Sequence, residues 1–294
     1  MSRTILVTGG MGFLGSHLIE YGLNHSDDSF IAVTLNHEAY LDKENERLEI
    51  KEADYLFTDE CKSRKIDFII NCAYPRNLDG YMVADGLKYT EKVFKTAKEM
   101  NVEGIINISS QSVYSQTREE PATEDSPICL ESSYAVGKYM CELLLNNICE
   151  DIPHTNIRMA SLIGPGFDQR IINRLVKESF INGKIEIYKN NQKFGFLYID
   201  DAVLGIFTVL CNYKNWKNVY NLGTEEGYSL LDIAQNIQVI MKEEYGKDIA
   251  IITKANEDIL NTTLNTNRMK KEMNFEAKID LKEMVKRIAL DYKK

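Results

Sequence analysis

The sequence predicts an α/β fold: a doubly wound parallel sheet with a smaller, interleaved C-terminal α/β lobe. In the first half of the chain, short runs rich in Ile and Val alternate with segments of helical periodicity, which is typical of βαβ units. These runs lack strict polar–apolar alternation, as expected for strands that helices cover on both faces. The regular alternation stops after Gly164-Pro165-Gly166, which indicates a second structural region.

The elements are expected in the following order. The first-half strands are predicted at Thr4–Thr8, Phe30–Leu35, Leu48–Ala53, Asp67–Asn71, Gly104–Ser109 and Thr155–Met159, and the helices at Phe13–Asn24, Tyr81–Met100 and Ser133–Cys149. The second half is predicted to hold a helix near Arg170–Asn182, extended stretches at Ile185–Tyr188 and Phe196–Ile199, a strand at Val219–Leu222, and helices near Leu230–Glu244 and Leu281–Leu290. We therefore expect a main domain over 1–163 with a returning segment 194–225, and a smaller lobe from 164–193 and 226–294.

Composition excludes several function classes. The chain has 294 residues, 44% of them hydrophobic, which suffices for a buried core. Its net charge of −9, with acids and bases interleaved, disfavours nucleic acid as a partner. The six cysteines form no CxxC pair and are expected to be reduced, and the four histidines are isolated, so no metal site is expected. The N-terminal region has no basic leader or long apolar stretch, so we expect a cytoplasmic protein without a membrane segment.

A glycine-rich turn follows the first strand. Gly9, Gly12 and Gly15 have the spacing GxxGxxG and lie between the first strand and the first helix. Glycine permits the tight turn, the approach of backbone to phosphate and close helix–strand packing. The helix that begins at Phe13 and Leu14 offers its free N–H groups and positive dipole end to a pyrophosphate. The pattern predicts a Rossmann fold that binds NAD or NADP.

The residues after the second and third strands bear on the choice of cofactor. A carboxylate at the end of the second strand would bind the ribose 2′-OH of NAD and repel the 2′-phosphate of NADP. The chain has Asn36 and His37 there, which could donate hydrogen bonds to a phosphate, although Glu38 follows closely. NADP is therefore favoured, and NAD stays possible. Asp54 could accept a hydrogen bond from the adenine amino group or act as a helix cap.

Tyr134 and Lys138 are the candidate catalytic pair. Their spacing of four residues places a phenol and an ammonium on one face of a helix. A free phenol, with a pKa of about 10, is a poor base at neutral pH, and a nearby ammonium favours its ionised form. Tyr134 could then exchange a proton with an alcohol or carbonyl while a nicotinamide exchanges a hydride. Ser110, at the end of the fifth strand, could hydrogen-bond the same oxygen.

The ordered set of motifs resembles the extended short-chain dehydrogenase/reductase family, in its NAD-dependent epimerase/dehydratase branch, whose members modify nucleotide sugars. The motifs are the glycine turn, Asn71-Cys-Ala73, Ser109-Ser110-Gln-Ser-Val-Tyr114, Pro121-Ala-Thr-Glu-Asp125, Tyr134-Ala-Val-Gly-Lys138, Gly164-Pro165-Gly166, Phe196-Leu-Tyr-Ile-Asp-Asp201 and Val219-Tyr-Asn-Leu-Gly223. The resemblance implies catalytic roles for Ser110, Tyr134 and Lys138, a cofactor contact at Ala73, and a nucleoside-diphosphate sugar bound by the second lobe.

The same resemblance narrows the reaction. Members that dehydrate a sugar usually carry an Asp-Glu pair directly after the position of Ser110, and this chain has Gln111 and Ser112. Decarboxylating members favour a glutamate at Ser112, and double epimerase-reductases a cysteine there. The chemistry that remains is reduction of a keto sugar or 4-epimerisation through a transient ketone. The absence of an acid after the second strand leans toward the reductase.

Departures from the family pattern leave the substrate open. Many members read Arg-x-x-Asn before the Gly-Pro loop, where the Asn meets the substrate diphosphate, and here Ser161 replaces that amide. A substrate other than a common UDP-hexose is thus compatible with the sequence. The candidate substrate contacts are Arg76, Ser112, Ser161, Lys193 and Arg268.

Other readings stay open. An oxidoreductase for a non-sugar alcohol would need an apolar lobe, which the polar stretch Lys184–Lys193 disfavours. A non-catalytic dinucleotide-binding sensor is the second alternative. By family resemblance, helices near Val83–Met100 and Tyr134–Cys149 would pair with a second copy, so a homodimer is expected.

Overall fold

The computed structural model describes residues 2–75 and 80–293, and among these all side chains except those of 189–191 and 256–258. The described chain divides into two compact units. The first unit comprises residues 1–115, 127–158 and 203–220, and the second comprises 116–126, 159–202 and 221–294. This division differs from the predicted one, because residues 116–126 and 159–163 belong to the second unit and the returning segment is shorter, 203–220.

A seven-stranded parallel sheet forms the centre of the α/β fold, as predicted. Its strands are β1 (Thr4–Thr8), β2 (Ser29–Thr34), β3 (Leu48–Glu52), β4 (Phe68–Asn71), β5 (Gly104–Ser110), β6 (His154–Met159) and β10 (Val219–Leu222). Their spatial order is β10-β6-β5-β4-β1-β2-β3. The order reverses between β1 and β4, and in open α/β sheets ligands bind beyond the carboxyl ends of the strands at such a point.

Helices connect these strands, and α1, α3 and α4 have bounds close to those expected from periodicity, whereas the short α2 was not predicted. They are α1 (Phe13–His25), α2 (Asp59–Lys62), α3 (Gly80–Glu99), α4 (Ser133–Ile148) and α6 (Ile199–Cys211). The core between sheet and helices includes Leu6, Ile69 and Ile105 on the strands and Phe94 on α3, all fully buried. No described helix is both long enough and apolar enough to span a bilayer.

Side-chain amides link four neighbouring strands inside the sheet. Thr8 on β1 donates from Oγ1 to Oδ1 of Asn71 on β4 at 2.7 Å. Asn71 donates to Asn107 on β5 at 2.9 Å, and Asn107 donates to Asn156 on β6 at 2.8 Å. All four residues are buried, so each hydrogen bond satisfies groups that water does not reach. These bonds fix the lateral register of the strand ends that carry the glycine turn and Ser110.

A buried ion pair attaches α4 to the sheet. The Arg158 guanidinium on β6 donates from Nε and Nη2 to the two Glu142 oxygens at 3.0 and 2.7 Å, and both side chains are at most 7% exposed. Ser109 Oγ on β5 donates to the same carboxylate. Arg158 Nη1 also donates to the hydroxyl of Tyr114 at 2.9 Å. The position of α4 against β5 therefore depends on a fully desolvated charge pair.

The second unit contains two small parallel sheets. Their strands and the accompanying helices are β7 (Ser161–Ile163), α5 (Ile171–Asn182), β8 (Lys184–Lys193), β9 (Phe196–Tyr198), α7 (Leu230–Tyr245), β11 (Ala250–Asn261), α8 (Asn267–Met273) and α9 (Leu281–Lys293). Strand β8 pairs with β11, and β7 pairs with β9. The sequence reading missed β7 and β11 because β7 is short and β11 mixes polar and apolar residues without a regular period.

Residues 116–126 join the second unit through hydrogen bonds to its C-terminal part. Ala122 N donates to Thr263 O at 3.2 Å, and Asn261 N donates to Gln116 O at 2.8 Å. The buried Glu124 carboxylate accepts from the backbone of Asn221 at 2.9 Å, and burial raises its pKa. These bonds explain why the Pro121–Asp125 motif groups with later segments of the chain.

The hydrogen bonds between asparagine side chains across the sheet give a first prediction. In Asn107→Ala, the Asn71 Nδ2 loses its acceptor and the Asn156 Oδ1 loses a donor, and each unpaired buried group costs about 1–3 kcal/mol. We expect the free energy of urea-induced unfolding to fall by about 3 kcal/mol. The matched control is Asn147→Ala, at an exposed position of α4, which should change it by less than about 0.5 kcal/mol. Equal effects of the two substitutions would contradict the prediction.

The ion pair gives a second prediction. Glu142→Ala leaves the Arg158 charge buried without its carboxylate, so the free energy of unfolding should fall by about 3–5 kcal/mol. Glu91→Ala removes the carboxylate of an exposed pair with Lys95 and should cost less than about 1 kcal/mol. A loss below about 1 kcal/mol in Glu142→Ala, measured by the same urea titration, would show that the pair does not hold the helix.

Candidate active site

The glycine turn after β1 is closely packed. Gly9 has a φ of +62°, a backbone conformation that favours glycine, and a Cβ there would lie 3.1 Å from the backbone of Ala73. A Cβ on Gly15 would lie 2.4 Å from the carbonyl oxygen of Gly9. Gly10 also needs to lack a side chain, because a Cβ there would lie 2.7 Å from that of Ala32 on β2. Sequence reasoning missed Gly10, which falls outside the GxxGxxG spacing.

Helix α1 begins directly at this turn. Gly12 is its N-cap and makes no side-chain cap hydrogen bond to the first turn. Phe13 and Leu14 form that first turn, so their N–H groups belong to the positive end of the helix dipole. The turn beside β1 and β4 therefore fits the pyrophosphate of a dinucleotide: it has space that a Cβ would fill and the N–H groups of a helix start.

The residues expected near the adenosine lie after β2 and β3. Asn36 is exposed and occupies the N-cap position of the short 3₁₀ helix His37–Lys43 without a side-chain cap hydrogen bond. The His37 ring pairs through Nδ1 with the Glu52 carboxylate at the end of β3. Glu52 therefore places a negative charge beside the ring that the sequence offered as a hydrogen-bond donor to a 2′-phosphate. Asp54 is exposed and precedes the 3₁₀ turn Tyr55–Phe57 without capping it.

Ala73 lies beside the glycine turn, as a cofactor contact would require. Its backbone N–H donates to Thr8 Oγ1 at 3.2 Å, and this hydroxyl also bonds Asn71. The ends of β1 and β4 are thereby joined at the point where the strand order reverses. Arg76, the candidate substrate contact that follows closely, lies outside the described residues.

Lys138 is the most constrained charged group of the site. It lies on α4, is 6% exposed, and donates from Nζ to the carbonyl oxygen of Ile108 on β5 at 2.7 Å. Its Nζ is 5.9 Å from the ring centroid of Tyr134. Tyr134 is half-buried near the start of α4, whose N-cap Ser132 accepts from Ala135 N at 3.1 Å. The structure thus brings together the phenol and the ammonium that the helical spacing predicts.

The surroundings of this ammonium contain thiols and phenols. In the part of the chain that the structure describes, no carboxylate forms an ion pair with Lys138. Burial raises the pKa of the Cys72 thiol to about 12, against the opposing effect of the Lys138 charge. Burial likewise raises the pKa of the Cys141 thiol. Both thiols are therefore protonated at neutral pH and contribute no negative charge beside Lys138.

Ser110 ends β5 two residues after Ile108, the acceptor of Lys138. Its Oγ lies 2.6 Å from Ser112 Oγ and accepts from Ser112 N at 3.2 Å, so it caps the 3₁₀ turn Gln111–Val113. Two hydroxyls are thus coupled at the strand end, where sequence reasoning separated them into a catalytic and a substrate-binding residue. Neither Gln111 nor Ser112 is a carboxylic acid.

The remaining candidate substrate residues lie in the second unit. Ser161 is half-buried at the start of β7, and Lys193 is exposed at the end of β8. Arg268 donates from Nη2 to both Asp125 oxygens at 3.2 and 3.1 Å, and its Nε lies 3.8 Å from Glu124. The charge of Arg268 is therefore balanced within this unit. Over residues 2–75 and 80–293, no group of three His, Cys, Asp or Glu side chains could hold a metal ion.

Comparison with known proteins agrees with this geometry. The chain is 25% identical over 252 residues to the low-salt glycan biosynthesis protein Agl12 of Haloferax volcanii, covering 79% of this chain and 81% of the relative. It is 27% identical over 270 residues to dTDP-D-glucose 4,6-dehydratase of Bos taurus, covering 82% and 74%.

A solved structure is similar over the whole chain. It is UDP-glucuronic acid 4-epimerase from Bacillus cereus in complex with UDP-glucuronic acid and NAD, at 23% identity, 99% coverage of each chain and a TM-score of 0.83. The model of the NAD dependent epimerase/dehydratase family matches residues 5–223. The chain therefore belongs to the NAD dependent epimerase/dehydratase family, which confirms the resemblance drawn from its motifs.

Proposed function

We propose that the protein is a nucleotide-sugar oxidoreductase that transfers hydride at a sugar carbonyl or alcohol carbon, without dehydration. One observation carries the proposal: the buried Lys138 ammonium, with no carboxylate partner among the described residues, lies beside the Tyr134 phenol. Membership of a family of nucleotide-sugar epimerases and dehydratases supports the substrate class.

The side chains of the site divide the chemistry as follows. A bound nicotinamide cofactor supplies or accepts the hydride. Tyr134, which lies beside the Lys138 ammonium, takes the proton of a sugar hydroxyl and returns it to a ketone. Ser110, held by Ser112, donates a hydrogen bond to the same oxygen.

We propose NAD as the cofactor. The preference for NADP that Asn36 and His37 suggested finds no support in the comparisons, where solved neighbours contain NAD. The pairing of His37 with Glu52 also favours NAD. It places a carboxylate beside the ring that would donate a hydrogen bond to the 2′-phosphate of NADP, and the carboxylate would repel that phosphate.

Among the reactions of the family we favour 4-epimerisation, with 4-ketoreduction second. Elimination of water needs an acid and a base beside the ketone, and Gln111 and Ser112 supply neither. An epimerase recycles its cofactor, which agrees with NAD. The exposed Leu35 in place of an acid after β2 is the observation that keeps a reductase in consideration.

Two further proposals concern assembly and location. Helices α3 and α4 expose apolar side chains, Met82 on α3 and Val136 and Met140 on α4, which supports pairing with a second copy as a homodimer. A cytoplasmic location stays a prediction from the sequence.

The catalytic pair is tested by Tyr134→Phe. With NAD and UDP-glucose as probes, we expect kcat to fall by at least about a hundredfold, since the general base is lost, while NAD binding measured by calorimetry is unchanged. Tyr139→Phe, on the same helix, is the matched control and should leave kcat within about twofold of the wild type. If Tyr134→Phe retains wild-type turnover, the proposed mechanism is wrong.

The reaction class is tested with UDP-glucose, UDP-glucuronic acid and dTDP-glucose in the presence of substoichiometric NAD. We expect 4-epimers by mass spectrometry coupled to chromatography, without net cofactor reduction, since the hydride returns to the same carbon. A 4-keto sugar that forms together with an equal amount of reduced cofactor, when NAD or NADP is supplied stoichiometrically, would assign a 4-ketoreductase running in reverse. A 4-keto-6-deoxy sugar would overturn the exclusion of dehydration.

A further inference from the structure

Tyr74 is a second tyrosine at the site, and sequence reasoning gave it no role. It follows Ala73 in the segment after β4, and its ring lies against two helices. A Cβ on Gly137 of α4 would be 1.7 Å from its Oη, and a Cβ on Gly86 of α3 would be 3.4 Å from its Cε2. Pro75 packs on the same Gly86, with its Cδ 3.0 Å from such a Cβ. The absence of side chains at both glycines creates the space that this ring fills.

The two glycines are unusual for their positions. Glycine in a helix interior costs about 1 kcal/mol relative to alanine, so each needs a compensating contact. At Gly137 that contact is the Tyr74 ring, and no larger residue fits without displacing it. Gly137 directly precedes Lys138, so the ring meets α4 at the turn that carries the ammonium.

The face of the Tyr74 ring meets this ammonium. Lys138 Nζ lies 4.7 Å from the Tyr74 ring centroid, closer than the 5.9 Å to that of Tyr134. The two rings are 6.1 Å apart at 72°, an edge-to-face arrangement. The negative face of an aromatic ring attracts an ammonium, most strongly where water is excluded. Together with Ile108 O, the ring therefore holds a buried charge that has no carboxylate partner among the described residues.

The Tyr74 hydroxyl is not the group that provides this contact. Its Oη is buried and makes no hydrogen bond within the described residues. Burial raises the pKa of this phenol to about 12, so the ring is neutral at the pH of catalysis. The uncharged Tyr74 ring therefore does not neutralise the Lys138 ammonium that lies beside Tyr134.

We propose that Tyr74 is a positioning residue: its ring, held between Gly86 and Gly137, fixes the Lys138 ammonium against Ile108 O and beside Tyr134. The inference rests on the proposed function of Tyr134 and Lys138. It adds that a residue outside the family's catalytic set determines how fully the ammonium acts on the phenol.

The first test replaces the ring. With NAD and UDP-glucose, Tyr74→Leu should lower kcat about tenfold and change the pH profile of the rate, because the ammonium is then less constrained beside Tyr134. Tyr74→Phe keeps the aromatic face and should restore both quantities to within about twofold of the wild type. A wild-type kcat and pH profile in Tyr74→Leu, or a loss in Tyr74→Phe equal to that in Tyr74→Leu, would overturn the proposal.

The second test separates positioning from packing. Gly137→Ala should displace the Tyr74 ring and lower both Tm and kcat. In Gly137→Ala/Tyr74→Leu the smaller side chain makes room for the methyl group, so Tm should recover while kcat stays about tenfold low. If kcat recovers together with Tm, Tyr74 only fills space and the proposal is wrong.

A third measurement needs no substrate. In protein with isotope-labelled lysine side chains, the Lys138 ammonium signal, assigned by its loss in Lys138→Met, should shift and exchange faster in Tyr74→Leu than in Tyr74→Phe. An unchanged signal in Tyr74→Leu contradicts the positioning role. The proposed function fails separately, through full turnover in Tyr134→Phe, so the two failures are distinguishable.

Discussion

The site depends on how the chain holds one buried ammonium without a counter-ion among the described residues. An isolated charge in a protein interior is costly unless it is hydrogen-bonded or paired. Here Lys138 is held by the Ile108 carbonyl and by aromatic ring faces, all uncharged groups. A carboxylate in that place would stabilise the ammonium and also cancel its field at Tyr134. Neutral partners keep the charge buried and still available to the phenol.

The helix that carries Lys138 is attached to the sheet by a separate ion pair. The buried carboxylate on the same helix, Glu142, lies one helical turn beyond Lys138 and is hydrogen-bonded by Arg158 and Ser109. The pair attaches α4 to β5 and β6, so it fixes the helix that carries Tyr134 and Lys138. The arginine of the family motif before the Gly-Pro loop thereby has a structural role inside the first unit.

At the glycine turn, backbone segments pack closely against one another, and no charged side chain is part of these contacts. Gly9, Gly10 and Gly15 each leave less room than a methyl group needs, and Thr8 joins the ends of β1 and β4 through its hydroxyl. The side-chain hydrogen bonds that run from Thr8 to Asn156 join the ends of four neighbouring strands in the same way. The glycine turn and the strand end that carries Ser110 thus belong to one hydrogen-bonded set of strands.

Much of the first unit follows from the sequence, because its signals are local. Buried strands, the glycine turn and the spacing of Tyr134 and Lys138 depend on periodicity and on residues a few positions apart. Those signals predicted the parallel sheet and the placement of Tyr134 and Lys138 on one helix. The short β7 and the irregular β11 lack a period and were missed.

What only the tertiary structure decided are contacts between segments far apart in sequence. The pairing of Glu142 with Arg158, of Asn71 with Asn107 and of Tyr74 with Gly137 depends on the lateral order of strands and helices, which no local pattern encodes. For the contact of Tyr74 with Gly137, the only local sign in the sequence is a glycine inside a helix. The pairing of Arg268 with Asp125 likewise depends on the fold. From the sequence alone, Arg268 was predicted to contact the substrate.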